Sequence, residues 1–475
     1  MISVTLNGTV VYFLVLMTSV PLLNNGSGHA YDQKRIIELL ILLLALLANA
    51  SASYEEKRST VVEKTIVLII LLGLFSALLA PVPIYAFIEL SLFIGLWCTA
   101  IHFKGVTISL KENSAALLFS TLTLVAATIY LSSFYVGYIA ALIEDYPIEW
   151  WHLFRGFDNI RFFNQVQIWT LPLLTLLFIS KPFPSYLPQK VVAFVVSSWW
   201  MLLFFSAGRG AMLATFAGAI TVGIIYRSSA ITFIKTHLLF AMSGFLLFQL
   251  LAAIPLLTVY DLPSLPEVLR LEANTRIILW KQAIQLITDN PIFGVGPMHY
   301  AWYPNLIAAH PHNSILQWAV EWGLPSLILL GFLFTYGAYH WLRHFSPAVI
   351  SQLPGIDRNI VIGLSCSLLS GLGYSLVSGV IVMPMSQIVM VVVIGLMMGV
   401  YKNSEDTEPR TVARRVNILW RTLYASTFVL LLTSVWPSLI EHLDSEVHAD
   451  TSNIQTVGPR FWRIGGIPHN QGKAP

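Results

Sequence analysis

His310-Pro311-His312-Asn313 is the part of the chain best equipped to move a proton. An imidazole titrates near neutrality, so His312 can take the proton of an attacking hydroxyl. The two histidines are split by one proline and have no partnering carboxylate, which is not the donor set of a metal site. Upstream, Arg276 stands in Asn274-Thr275-Arg276, and a guanidinium fork matches the oxygens of a diphosphate. Arg276, Trp280 and Ala283 recur at helical spacing. They predict an amphipathic surface helix that stops at Asn290-Pro291, before the glycine-rich Phe293-Gly294-Val295-Gly296. Arg209 lies in Ser206-Ala207-Gly208-Arg209-Gly210-Ala211, where one apolar run ends and another begins. A charge there is costly unless used. It either binds an anion beside helix N-terminal amides or snorkels to lipid headgroups.

These residues must be positioned by helices in an apolar medium. The chain has 475 residues, 56% hydrophobic and only 11% charged. Its mean hydropathy is +0.72. A soluble domain is about 25% charged. This composition excludes a cytosolic enzyme, a secreted disulfide scaffold and a disordered tail protein. The net charge of +3, with no basic cluster interleaved with aromatics, excludes nucleic acid as a partner. Cys98 and Cys366 each sit in an apolar run and read as small buried hydrophobes.

The apolar runs are long and unpatterned, which predicts an all-α bundle spanning the membrane. They fall near 8–23, 36–52, 65–80, 82–101, 115–141, 165–180, 191–207, 211–227, 238–259, 314–338, 359–380, 384–401 and 419–439. Twelve or 13 spans follow, and the first run reads as a retained span rather than a cleaved signal. More than half of the 27 Lys and Arg residues gather in alternate short loops, which assigns those loops to the cytoplasm. Lys34 and Arg35 run against this bias. The long loops 142–164 and 260–313 are then extracytoplasmic. The second carries Arg270, Arg276, Lys281, His299, His310 and His312, positive charge that suits an anionic substrate. Glu89 is an isolated acid in an apolar run, and the polar tail 441–475 reads as loosely ordered. Trp150, Trp151, Trp302 and Trp318 fit either an interfacial belt or sugar stacking.

His312-Asn313, nine residues and then Gly323-Leu324-Pro325 resemble the histidine signature of the O-antigen ligase and O-antigen polymerase superfamily. The upstream run through Arg276, Trp280, Ala283 and Asn290-Pro291-Ile292-Phe293-Gly294-Val295-Gly296 resembles the same family's approach to that histidine. Gly208-Arg209-Gly210-Ala211 resembles its first arginine, and Gly156 through Gln165, with Arg161, resembles a loop found in some members. The resemblance covers roughly residues 150–400 and is strongest from 206 to 326. Ser326 stands where ligases often have Gly, Thr or Tyr, and Tyr374 where some members carry a further His.

The resemblance implies a glycosyltransferase of the bacterial inner membrane with its site facing the periplasm. It would take a glycan from undecaprenyl diphosphate without a metal or other cofactor. His312 would be the general base, while Arg209 and Arg276 would stabilise the leaving diphosphate. His310, Asn313, Arg161 and Tyr374 would bind substrate. The acceptor is lipid A–core in ligases, a repeat unit in polymerases and a Ser or Thr of a protein such as pilin in oligosaccharyltransferases; ligase is the leading reading. A lipid-linked sugar transporter or flippase is the alternative of another class. The expected layout is N-terminal transmembrane helices over 1–150, a ligase-like core over 151–400 and a loop, last span and polar tail over 401–475.

Overall fold

The computed structural model describes residues 30–51, 60–110, 114–144, 153–181, 189–253, 271–305, 307–404, 414–447, 460–463 and 465–467. The run at 8–23, Trp150, Trp151, Arg270 and most of the loop 402–415 lie outside these residues. Within the described residues each of the other apolar runs falls largely on a helix. In chain order these are α1 (Ala30–Ser51), α2 (Thr60–Leu79), α3 (Pro83–Ser109), α4 (Ser114–Ile143), α5 (Ile160–Ser180), α6 (Gln189–Phe205), α7 (Arg209–Tyr226) and α8 (Ile231–Phe248). Then follow α9 (Leu271–Asp289), α10 (Ser314–His344), the short α11 (Pro347–Gln352), α12 (Gly355–Ser375), α13 (Pro384–Asn403) and α14 (Arg414–Val447). The described residues contain no strand. The chain is an all-α polytopic membrane protein.

Eight stretches of the described residues are long and apolar enough to cross a membrane. One of them, Arg209–Leu251, has 43 residues. At 1.5 Å per residue it is about twice the length of a single crossing. It breaks at Arg227, whose φ of 52° is left-handed, so α7 and α8 are separate passes.

The innermost helices are α5 and α13. α5 packs against α12, and α12 packs most extensively on α7. α13 packs on α3, and α1, α3 and α14 form a neighbouring group. Between membrane helices the packing depends on small residues that let backbones approach. A Cβ on Gly218 of α7 would stand 2.3 Å from the Ser370 hydroxyl of α12. One on Gly395 of α13 would stand 2.6 Å from the Ala100 carbonyl of α3. Cys98 and Cys366 are buried in this packing as thiols, outside any disulfide.

Three expectations change. The run at 314–338 is not one straight helix: α10 breaks at Gly323, with φ 79° and ψ 164°. The tail is not loose throughout, because Arg460, Phe461, Trp462 and Ile467 are all buried. Lys34 and Arg35 are not loop charges either. Both are buried on α1, where Arg35 is ion-paired with Glu38. A buried, paired arginine says nothing about loop topology, which removes the exception to the charge bias.

Candidate active site

The long loop folds onto the break in α10 through its backbone. After α9 stops at Asp289, the Val295 N–H donates to the Val320 carbonyl at 2.8 Å, and Gly296 N–H donates to that of Glu321 at 3.2 Å. In return Leu324 N–H donates to the Pro291 carbonyl at 2.9 Å. The contact leaves no room for side chains. A Cβ on Gly323 would stand 2.0 Å from the Ile292 carbonyl, and one on Gly294 would stand 2.6 Å from that of Val320. Both glycines also have positive φ. The two glycine elements of the sequence therefore grip each other, and the backbone groups freed by the break in α10 are taken up.

This grip holds α9 beside the histidine loop. Leu279, Ala283 and Leu286 of α9 form a small core with Val295, Tyr300, Ala308 and Val320. The Trp280 indole N–H donates to the Pro311 carbonyl at 2.9 Å. Arg276 lies one turn before Trp280.

His312 has a left-handed backbone, φ 54°. Histidine tolerates that region better than most residues, but holding it there requires support from its surroundings. Asn313 supplies it. Its side-chain oxygen accepts from the Ile315 and Leu316 N–H groups at 3.0 Å each, capping α10. Its amide donates to the Leu376 carbonyl at 3.0 Å, and the Ser314 hydroxyl donates to that of Ser375 at 3.0 Å. The polar atoms of Asn313 thus fasten the loop to the end of α12.

Burial, followed by the positive charges of Arg276 and Arg161, pushes His312 down to about 4. At neutral pH it is an uncharged imidazole with a lone pair to accept a proton. The His310 ring lies 4.2 Å from it, centroid to centroid. His310 is buried, and Gly379 makes room for it, since a Cβ there would meet its Nε2 at 2.3 Å.

Arg161 enters from the first turn of α5, which Asn159 caps by accepting from the Arg161 N–H at 2.9 Å. The next turn carries Asn164 and Gln165, both buried. Asn164 donates to the Ser206 hydroxyl and Gln165 to the Ser378 hydroxyl, each at 2.8 Å. One helix end thereby fastens both the Arg209 turn and the turn beside His310.

Arg209 is the first residue of α7, and its side chain is exposed. Ala207 before it takes φ 49°. Gly208 abuts the Asn164 side chain, and Gly210 abuts the Tyr374 ring. Arg209 thus lies on the same rim as His312, joined through residues 374–377, although its side chain is not drawn against the imidazole. Tyr374 is buried and serves as the wall of that turn.

Of the residues expected from the sequence, Arg276, Arg161, His310 and His312 converge. Asn313 and Tyr374 build the frame, and Arg209 stands at its edge. His299 is not a loop cation. It is buried, donates Nδ1–H to the Pro297 carbonyl at 2.8 Å and accepts from the Val82 N–H at 3.1 Å. Burial holds it down to about 4, hence neutral. Among the described residues no cluster of His, Cys, Asp or Glu could hold a metal.

Sequence reasoning passed over Asn164, Gln165, Glu321 and Arg460. Glu321 had a signal, as an acid in the apolar stretch Trp318-Ala319-Val320-Glu321-Trp322. Its carboxylate accepts from the Tyr300 N–H at 3.2 Å and pairs with Arg460 at 2.5 Å. Glu89 also pairs with Arg460, at 3.4 Å. Arg460 had no signal, since it comes from a polar tail without periodicity.

No curated protein matches the chain. Residues 192–331 match the family model described as O-antigen ligase. That segment holds Arg209, Arg276, His310, His312, Asn313 and the Gly323 break, so the part of the chain that builds the candidate site is similar to O-antigen ligase, a family of glycosyltransferase-like enzymes.

Proposed function

We propose that this protein transfers a glycan from undecaprenyl diphosphate to an acceptor on the periplasmic face of the bacterial inner membrane, as an O-antigen ligase acting on lipid A–core. The observation that carries the reading is the pair of rings of His310 and His312, 4.2 Å apart just before α10, in a segment that matches O-antigen ligase and within the influence of the Arg276 and Arg161 guanidiniums. Displacement of a diphosphate uses both kinds of group, because negative charge builds on the leaving group while the acceptor must lose a proton.

In the proposed reaction the acceptor oxygen attacks the anomeric carbon and its proton passes to His312. The bond from that carbon to the diphosphate oxygen breaks, and its electron pair leaves with the carrier. Arg276 and Arg209 meet that charge, together with the N-terminal amides of α7. Arg161 and His310 hold the donor or acceptor. Diphosphate between the guanidiniums offsets their effect on His312, so the base strengthens when the donor binds. No step calls on a metal or other cofactor.

A transporter reading finds less support. Transporters leave the groups of a broken helix to their cargo. Here the backbone groups at Gly323 are taken up by residues 291–296.

The test is a deletion strain complemented with the wild type or with His312→Asn, which tolerates the same backbone. Loss of the whole O-antigen ladder with lipid A–core intact, restored by the wild type alone, supports a ligase. Loss of the long ladder with single-repeat caps retained makes the protein a polymerase. A normal ladder with a lighter pilin makes it a protein oligosaccharyltransferase. Full rescue by His312→Asn sinks the general base.

A further inference from the structure

The buried part of the tail reaches three pieces of the site. Arg460 pairs with Glu321 of α10, Arg463 approaches Asp158 at 3.9 Å beside the cap of α5, and Ile467 packs with Ala301 and Ala309 next to His310. The bundle grips this segment by its backbone. Tyr31 donates to the Arg460 carbonyl at 2.5 Å, Arg35 Nε donates to that of Phe461 at 2.9 Å, and the Arg463 N–H donates to Asp32 at 2.7 Å. The Trp462 indole N–H donates to the Ser438 hydroxyl at 2.8 Å.

We infer that tail residues 460–463 and 465–467 are a positioning element of the site, and that the Arg460–Glu321 pair fixes the short helix that carries His312 at its start. This rests on the transferase reading above. A buried ion pair is weak evidence for stability, since an apolar pair often does as well; what it supplies is geometry. Glu321 is held from two sides, by Arg460 and by the Tyr300 N–H. Its own carbonyl accepts from Ser76 at 3.0 Å and from Gly296. Gln317 faces the same guanidinium, and with its amide turned over, its oxygen would accept from Arg460.

The helix from Ser314 to the Gly323 break is about 13 Å long. A tilt of about 4° at the Glu321 end displaces the His312 end by about 1 Å, a misplacement on the scale that costs a reaction about a hundredfold. Arg460 and Glu321 touch no reacting atom. They are positioning residues, and their loss should lower turnover more than donor affinity.

The experiment uses the full chain in detergent, with kcat and KM for a polyprenyl-diphosphate glycan and a melting temperature for each variant. Arg460→Met alone leaves Glu321 and Glu89 uncompensated and can fail to fold. Glu321→Gln/Arg460→Met removes the fully buried pair together and leaves only Glu89, the more distant and more exposed of the two acids. The double variant should melt within a few degrees of the wild type, keep KM within about threefold and lose about tenfold or more in kcat. Arg460→Lys, which keeps the charge but not the fork, should restore part of the turnover. A folded double variant with wild-type kcat overturns the inference. Docking is read separately by disulfide formation between Ala309→Cys and Ile467→Cys in native membranes. A crosslink is expected, and its absence overturns the inference whatever the activity. If the wild type shows no transfer, the proposed function fails. A crosslink would then keep the docking but not the positioning role.

Discussion

Around His312 the acting charges are the guanidiniums of Arg276 and Arg161, whereas the arginines deeper in the fold each face a carboxylate. Arg460 meets Glu321 and Glu89, and Arg35 meets Glu38. Both regions bring cations together near helix ends, and in the second the partners are carboxylates of the fold. A buried charge without a partner is too costly to keep, so the inner arginines had to be matched by acids. On the proposed reading the positive charge of the rim, which solvent reaches, draws in the diphosphate. The inner cluster holds the fold in register, and the outer cluster would meet the substrate.

Removing the imidazole is the strongest test of this contrast. His312→Asn keeps a side chain that tolerates the left-handed backbone, and so removes the base with little strain. Turnover should fall by about 10²- to 10⁴-fold while the melting temperature holds. A loss of stability with preserved turnover would place His312 with the supporting residues instead. Next in size is Arg276→Gln, with an expected loss of about 10- to 100-fold in kcat/KM. This variant also has a signature that a packing defect lacks. As the proposed general base His312 would work when deprotonated, so kcat/KM of the wild type should decline as pH falls through about 4. Removing one of the two cations lets the imidazole bind its proton more readily, and the acid limb should move to higher pH. A limb that stays in place, or moves down, breaks the claim that Arg276 acts on His312.

Much of the bundle was legible because a membrane helix must satisfy its own backbone and announces itself by length and apolarity. The stop of α9 was legible too, since Asn290-Pro291 cannot continue a helix. The break at Gly323 was not. Gly323 and Pro325 stand in a run apolar enough to span, and only the loop backbone docked at that spot shows why the helix opens. The outer cluster could be assembled from residue types, because arginines and histidines gathered in long loops between apolar runs are conspicuous. The inner one could not, because Glu89, Glu321 and Arg460 are far apart in the chain and each alone is a lone charge with several explanations. Long-range pairing of single residues leaves no periodic trace.

A smaller effect should come from Gly323→Ala. The new methyl would meet the Ile292 carbonyl in a backbone conformation that alanine resists. The loop grip should loosen by about 1–3 kcal/mol, read as faster proteolysis of the segment around residues 290–296. Turnover should fall with it, because the same grip carries α9 and Arg276. Unchanged proteolysis with reduced turnover would move Gly323 from the frame to the chemistry.

The smallest expected effect separates frame from chemistry at one residue. Asn313 was expected to touch substrate, yet its oxygen caps α10 and its amide donates to the Leu376 carbonyl. Asn313→Asp keeps the cap and loses the donor; Asn313→Ala loses both. Loss of the cap alone should cost about 1 kcal/mol. If Asn313 is frame, melting temperature should fall in the order wild type, Asp, Ala, and turnover should follow the same order with KM for the donor unchanged. If it binds the diphosphate, Asp is the worse variant, because its negative charge would repel the donor while the helix stays capped, and KM should rise most there. The order of the two variants decides between the readings, because frame and chemistry rank the same two substitutions oppositely.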